Sequence, residues 1–296
     1  MRARAVAACC AASAALTCAP IATSGPGCTE LTAPTVLSRE LVETSGIAVG
    51  RRNPDILWTH NDGDSDLYAL DRDGRVVARF DVPVRMRDWE DLEIARCPEA
   101  GSCLYLADTG DNGERRRAGS IRIVRVAEPL VSDGAEDRPT LEADVFPIAL
   151  PDGPRDVEAL FVLPDGAPYL VTKGGSAPVS VYRYPGSLRP DTVVLEEVQQ
   201  LSDGPQGLLD RVTGASASPD GSWVAIRTYQ ALEFYRVEAG RLAHVDGGLA
   251  NLRSLAEIQG EAVGIGMEGV VALTSEGGPL GGPPSMRILR CRLEDA

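Results

Sequence analysis

Residues 45–74 read SGIAVGRRNPDILWTHNDGDSDLYALDRDG and alternate short apolar runs with turns. Together with the run that follows, this stretch contains four apolar runs: Gly46–Val49, Ile56–Thr59, Leu67–Leu70 and Val76–Val82. Two of the turns between them are Asn53-Pro54-Asp55 and Asp73-Gly74. Runs of four to seven residues bounded by Pro, Asn, Asp and Gly are typical of antiparallel β-strands. This part of the chain therefore predicts one four-stranded sheet.

The opening of this unit recurs along the chain. Each copy has a small or acidic residue followed by an apolar strand, and the equivalent positions are Gly46, Asp91, Glu158, Gly214 and Glu261. Their separations of 45, 67, 56 and 47 residues fit propeller blades of ~40–50 residues with insertions. The sequence therefore predicts an all-β fold, a β-propeller with five four-stranded blades.

The last repeat has only three predicted strands. Thr35–Leu41, which precedes the first repeat, can supply the fourth and close the ring, which removes exposed sheet edges. Two alternatives remain at this stage. Weak strands within residues 185–212 or 238–258 would make six blades, and a β-sandwich would leave the repeat unexplained.

The first 22 residues are typical of an export signal, with two early arginines and an apolar, alanine-rich run. We therefore divide the chain into a signal peptide (1–22), a short linker (23–34) and one propeller domain (35–296). Val6-Ala7-Ala8-Cys9 has lipobox-like chemistry, so a lipoprotein is the alternative. We expect a secreted, periplasmic or cell-surface protein with no transmembrane segment in its mature form.

Four cysteines follow the predicted signal: Cys28, Cys97, Cys103 and Cys291. An even number in an exported chain indicates disulfide bonds. Of the three possible pairings, proximity favours Cys97 with Cys103, and this leaves Cys28 to join Cys291 across the two chain ends. The alternative is four free buried thiols.

The net charge of −14 restricts the partners. Nucleic-acid binding needs a basic surface, so we do not expect DNA or RNA to be a partner. Cations are the natural ligands of an acidic surface. We expect a monomer that acts on a small anionic substrate or a cell-envelope ligand.

Most unusual polar residues fall on one predicted face of the ring, where the chain enters the first strand of each blade and joins the second strand to the third. Asp91, Glu158 and Glu261 are expected to converge there on the channel mouth, with Asp88 or Glu90 assisting. Crowded carboxylates favour a bound cation, and hard oxygen ligands suit Ca²⁺. We expect Asn61 and Asn112 to add side-chain carbonyl oxygens to this cation site. The alternative is that these acids only bond backbone amides and arginines.

Four residues on the same face are candidates for catalysis. His60 and Asp62 are expected to handle protons. Lys173, the chain's single lysine, and Arg227 are expected to hold negative charge on a substrate. Structural roles are open for all four: a hydrogen-bonded histidine, a solvated turn, a loop lysine and an arginine paired with channel acids.

Three segments carry a family resemblance: Leu57-Trp58-Thr59-His60-Asn61-Asp62, Asp88-Trp89-Glu90-Asp91 and Asp108-Thr109-Gly110-Asp111-Asn112. They resemble exported bacterial propellers of unassigned activity that are similar to phytase-like and lactonase-like calcium propellers. Asp156-Val157-Glu158-Ala159-Leu160 also resembles a blade opening of β-propeller phytases. The resemblance implies a calcium ion at the channel mouth and hydrolysis of a phosphoester or lactone. The alternative is a non-catalytic binding or scaffold propeller with a structural cation.

Overall fold

The computed structural model describes residues 26–132, 138–277 and 282–293. The predicted signal peptide lies outside these residues. Within them, the strands form five separate sheets, antiparallel except for one short parallel pair at the edge of blade two. The first strands of successive sheets contact one another in a closed ring. The protein is therefore a five-bladed β-propeller, which confirms the main prediction over the six-bladed and sandwich alternatives.

The strands of the first three blades follow the chain from the centre of the ring outward. Blade one contains Thr44–Val49, Leu57–Asn61, Asp66–Leu70 and Val76–Asp81. Blade two contains Trp89–Arg96, Ser102–Asp108, Ile121–Ala127 and Ala143–Ala149. Blade three contains Val157–Val162, Pro168–Thr172, Ser180–Arg183 and Glu196–Gln200.

Blades four and five complete the ring. Blade four contains Val212–Ala217, Trp223–Thr228, Ala231–Glu238 and Arg241–Asn251. Blade five contains Gln259–Ile265, Val270–Glu276 and Ser285–Arg290. The helical elements in the described residues are single 3-10 turns at Arg39–Leu41, Leu208–Asp210, Arg253–Leu255 and Met267–Gly269. None of the described helices is long and apolar enough to cross a membrane.

The N-terminal segment supplies the outer strand of blade five in two pieces. Thr29–Glu30 and Thr35–Val36 both pair with Ser285–Arg290. Ring closure by the N-terminal strand is therefore confirmed, but the strand is shorter than the predicted Thr35–Leu41, because the chain turns into a 3-10 helix at Arg39–Leu41. Its first piece lies within residues 23–34, which were expected to be a linker.

Both predicted disulfides are present. The end-to-end bridge joins Cys28 to Cys291, next to the paired residues Thr29 and Arg290. The hairpin bridge joins Cys97 to Cys103 in the first turn of blade two. The end-to-end bridge therefore locks the same joint that the N-terminal strand closes.

One strand differs from its predicted position. The sequence predicts the outer strand of blade three as Val193–Gln199. In the structure, Val193–Val194 instead pairs in parallel with Ile148 and Ala149 of blade two, and only Glu196–Gln200 belongs to blade three. The segment crosses between two blades because both offer an open outer edge there.

The core consists of apolar layers between neighbouring blades. One layer, for example, packs Ile123 and Ile148 of blade two against Leu160 and Tyr182 of blade three. We call the face that carries the turns between second and third strands the upper face, and the opposite one the lower face. The layers fix the first strands rigidly around the axis, so their ends define an upper and a lower mouth of the central channel.

Candidate functional site

Every first strand carries a β-bulge near its upper end. The register against the second strand shifts between Thr44 and Ile47, Trp89 and Asp91, Val157 and Ala159, Val212 and Gly214, and Gly260 and Val263. The residues within the bulges include Ser45, Glu90, Glu158, Thr213 and Glu261. A bulge places two residues opposite one and re-aims their side chains. These five positions are the true structural equivalents around the upper mouth.

This alignment corrects the repeat read from the sequence. The predicted equivalents in blades one, two and four, Gly46, Asp91 and Gly214, each lie one residue too far along. Glu158 and Glu261 keep their places. In blade two, Glu90 therefore takes the position that was assigned to Asp91.

Glu90, Asp156 and Glu158 form a buried group that could hold a metal ion. One carboxylate oxygen from each lies within 4.8 Å of the others. The three side chains come from blades two and three. Hard oxygen donors at this separation are the ligands that Ca²⁺ takes in proteins.

Gly110 makes the close approach of these acids possible. A Cβ atom at this position would lie 1.9 Å from Oε1 of Glu90 and 2.6 Å from Oδ2 of Asp88. Any larger residue would therefore push Asp88 and Glu90 away. Burial and the Asp156 charge raise the pKa of Asp88, although the neighbouring Arg116 and Glu90 side chains lower it.

Lys173 lies on one side of the group. Its Nζ is 2.7 Å from Oε1 of Glu158 and 3.3 Å from Oδ2 of Asp156, and 3.4 Å from Oδ1 of Asn112. These carboxylates raise the pKa of Lys173 against the opposing effect of burial, so the ammonium stays charged. Within the described parts of the chain, no lysine or arginine forms an ion pair with Glu90.

Burial makes the ionised form of these acids unfavourable. It raises the pKa of Glu158 to about 8, although Lys173 lowers it. It also raises the pKa of Glu90 well above its ordinary value, helped by the Glu158 and Asp88 charges. At neutral pH the group therefore favours additional protons or a cation.

Further acids continue around the rim between blades five and one. Burial, with the Asp62 and Glu43 charges, raises the pKa of Glu276 to about 7. Burial, with the Glu43 carboxyl, raises the pKa of Asp62 to about 6. Gln259 links this rim to the centre, because its Nε2 donates to Glu261 at 2.7 Å and to Glu276 at 2.6 Å. Carboxyls that titrate near neutrality can exchange protons with a substrate.

We call this assembly the acidic mouth. Its carboxyls stand close enough to influence one another's pKa values, and Lys173 lies beside them. Its members are Asp62, Asp88, Glu90, Asp156, Glu158, Glu261 and Glu276. The mouth is therefore a crowded set of carboxyls that take up protons or a cation at neutral pH.

Asp91 has a different position from the one expected of a metal ligand. Its Oδ1 accepts from the backbone N–H of Leu92 at 2.8 Å, and its Oδ2 accepts from those of Leu160 at 2.9 Å and Ala215 at 3.1 Å. These amides belong to blades two, three and four. Asp91 therefore joins three blades inside the channel, and both of its oxygens are already in use.

Glu93 plays the same part deeper in the channel. It accepts hydrogen bonds from the backbone N–H groups of Ile94 and Ala217 and from Oγ of Ser216, at 2.7–2.9 Å. Burial raises its pKa to about 7, although these donors lower it. Asp91 and Glu93 therefore both join first strands of different blades between the two mouths of the channel.

His60 lies in the core between blades one and two and away from solvent. Its ring stacks on Trp89 with centroids 4.0 Å apart, and the side chain is fully buried. Burial lowers its pKa to about 3. The histidine is therefore neutral and cannot reach a substrate, so the proton-transfer role expected of it is not supported. Of that pair, only Asp62 lies at the mouth.

Arg227 is also structural. Its guanidinium is fully buried and donates to the carbonyl oxygens of Ala262 and Thr274 and to Oε2 of Glu257, at 2.5–2.9 Å. These contacts join blade four to blade five. The substrate-binding role expected of Arg227 is not supported, because none of its bonds point into the mouth.

The two asparagines differ in position. Nδ2 of Asn61 donates to the carbonyl oxygen of Glu40 and to Oδ2 of Asp64, which holds the turn of blade one. Asn112 reaches the acidic mouth through Lys173. Only Asn112 is therefore close to the candidate metal group.

Sequence reasoning missed Asp156 and Glu276. A signal for Asp156 was available: it stands two residues before Glu158, and alternate residues of a strand face the same side. Glu276 ends the second strand of blade five, at the position that Asp62 takes in blade one and Lys173 in blade three, and this equivalence was the available signal.

Comparison with known proteins supports the fold. No family model matches the chain, and no curated protein matches its sequence. An aldose sugar dehydrogenase from Streptomyces coelicolor, solved with bound PQQ, is 11% identical, with 89% of this chain and 98% of that chain covered and a TM-score of 0.52. A solved glucose dehydrogenase is 11% identical, with 90% and 100% covered and a TM-score of 0.50.

A gluconolactonase from Xanthomonas campestris is 16% identical, with 83% of this chain and 72% of that chain covered and a TM-score of 0.43. Likenesses at these identities show the fold alone. The phytase-like and lactonase-like resemblance read from the sequence therefore stays a prediction.

Proposed function

We propose that the protein is an exported, calcium-binding propeller that hydrolyses lactones at its acidic mouth. The observation that carries the proposal is the buried group of Glu90, Asp156 and Glu158, in which three carboxylates face one lysine. Its donor set contains oxygen only, which favours Ca²⁺ over zinc. Two disulfides support export, because such bonds persist in oxidising compartments.

The charge of the mouth bears on the substrate class. The sequence suggested a small anionic substrate, and phosphoesters and lactones were both expected. Those carboxyls of the acidic mouth that stay ionised would repel a phosphoester, whereas an uncharged lactone enters without that penalty. The binding partner and the monomeric state remain predictions.

The chain's own residues can perform the proton transfers. A calcium ion, when bound, would polarise the lactone carbonyl. Glu276, with a pKa of about 7, can accept the proton of the attacking water, after which the ring C–O bond breaks. Burial raises the pKa of Tyr229, as does the nearby Glu261, so its hydroxyl stays protonated and can donate to the leaving oxygen.

Calcium titration of the mature, EDTA-treated protein tests the metal site. We expect saturable binding that weakens at least tenfold in Glu158→Gln. Glu268→Gln is the matched control, because Glu268 is exposed on the lower face, and it should bind as the parent does. Absence of binding in the parent would overturn the proposal.

Lactone hydrolysis is then followed as acid release with calcium present, beside p-nitrophenyl phosphate. We expect Glu276→Gln to lower kcat by about 10²–10⁴-fold, the usual contribution of a general base, with calcium affinity retained. Calcium binding without hydrolysis of either substrate would establish the alternative, a non-catalytic binding propeller with a structural cation.

A further inference from the structure

The lower mouth of the channel is a cavity of about 800 Å³. It lies where the first strands of blades one to four end, and Arg51, Arg96, Val162 and Ser218 mark these four ends. Asp91 and Glu93 separate it from the acidic mouth through their bonds to neighbouring blades. The lower mouth is therefore a second cavity, at the opposite end of the channel from the acidic mouth.

Its lining has the opposite charge from the upper mouth. Arg51, Arg52 and Arg96 line it, and no Asp or Glu stands among the described residues that do. This arrangement occurs in a chain whose net charge is −14. Arginines gathered in one cavity repel one another unless an anion lies between them.

The guanidinium groups are poorly paired. Arg96 forms no ion pair with any described residue and is exposed. Nε of Arg51 is buried and has no hydrogen-bond partner among the described atoms. Arg52 donates from Nη1 to the carbonyl oxygen of Glu128 at 3.3 Å. Donors therefore remain free to bind a ligand.

The carboxyls near this cavity are already engaged by other donors. Glu93 feels the Arg51 charge from inside the channel but uses its oxygens for the bonds described above. Glu128 accepts from the backbone N–H of Arg52 at 2.7 Å and from Nε1 of Trp58 at 3.1 Å, and also from Ser102. Asp220 is engaged in the same way, by Oγ of the lining residue Ser218 at 2.5 Å. Among the described residues, none of these carboxyls therefore forms an ion pair with the three arginines.

We propose that the lower mouth binds a small molecule through an oxyanion group, a phosphate or a carboxylate. The planar guanidinium fork matches the oxygens of both groups. The cavity is much larger than a free phosphate and has the size of typical small-molecule sites. Apolar walls formed by Val162, Pro164 and Pro219 can hold the uncharged part of such a ligand.

Calorimetric titration of the full mature protein with inorganic phosphate and with citrate tests this site at low ionic strength. We expect saturable binding of at least one probe. It should weaken at least tenfold in Arg96→Gln and disappear in Arg96→Glu. Arg96 is exposed, so both variants should fold, which circular dichroism checks.

Arg72→Gln is the matched control, because Arg72 lies on the lower face but pairs with Asp55 outside the cavity. It should bind within twofold of the parent. The tighter probe identifies the oxyanion as phosphate or carboxylate. Failure of both probes would overturn the proposal, and so would equal weakening in Arg72→Gln, because binding would then reflect general surface charge. This test does not depend on calcium binding at the upper mouth, so its outcome is separate from that of the proposed function.

Discussion

Replacement of Asp91 by asparagine separates the structural acids of the channel from the metal group. An asparagine keeps one carbonyl oxygen, whereas Asp91 uses both oxygens for the backbone N–H groups of Leu92, Leu160 and Ala215. Depending on its orientation, the new side chain leaves one or two of these amides unsatisfied. Each such buried donor costs about 1–3 kcal/mol, so we expect the free energy of unfolding to fall by about 3 kcal/mol.

Urea denaturation with EDTA and with calcium measures this effect. Asp91→Asn should lose the same stability in both conditions and keep the increment that calcium adds, which is about 2.7 kcal/mol at a concentration 100 times Kd. Glu90→Gln is the neighbouring comparison. It should retain its stability in EDTA, because a crowded buried charge is removed, but lose most of the calcium increment.

The reverse pattern would refute the assignment. If Asp91→Asn unfolded like the parent in EDTA but lost the calcium increment, Asp91 would be the ligand. The bulge in blade two would then not place Glu90 in the metal group.

Three further predictions concern stability. Arg227→Gln should lower the free energy of unfolding by about 3–5 kcal/mol, because it leaves a buried carboxylate unpaired. Calorimetry should show unchanged calcium affinity. An unchanged free energy of unfolding would contradict the structural role of Arg227. In EDTA, unfolding at pH 6.5 and 8 should show stability falling, with about 2 kcal/mol of the fall from Glu158, since the folded protein keeps a proton that the unfolded chain has lost; the window starts at 6.5 because His60 acts in the opposite direction below that pH. Saturating calcium should remove the share of Glu158 and leave that of Glu93, which lies outside the metal group and whose pKa burial raises to about 7. Replacing both cysteines of the end-to-end bridge, which spans 263 residues, should lower the free energy of unfolding by about 5 kcal/mol, against about 2 kcal/mol for the hairpin bridge. Thermal denaturation of the two variants measures the difference, and equal losses would contradict the chain-entropy argument.

The blades could be predicted because their signals are local. Alternating apolar runs and Asp-Gly turns mark strands wherever they occur, and ring closure followed from a missing strand. The position of Val193–Val194 could not be predicted in this way. Its apolar pattern suits either blade, and only the spacing of the two outer edges decides the parallel pairing with blade two.

In blade two, the sequence predicted Asp91 as the metal-group residue, one position after Glu90, for a related reason. A register shift of one residue changes which side every later side chain faces, and no single residue type marks a bulge. Blade two nevertheless carries a trace of it. Its acids stand at Asp88, Glu90, Asp91 and Glu93, a spacing of two, one and two. Strict alternation would divide them between the two sides of the strand, whereas a bulge at Glu90 brings all four toward the axis.

The number of hydrogen-bond donors then separates the roles within this column of acids. Asp91 and Glu93 each accept bonds from three donors in the protein, and these bonds oppose the rise in pKa that burial causes. Glu90 and Asp88 mainly face each other and the acids of blade three. The four stand close together in the chain, within residues 88–93, and all are carboxyls. The supply of hydrogen-bond donors is therefore the property that differs between them. It follows that the upper pair needs protons or a metal ion from solvent, while the lower pair holds the blades together.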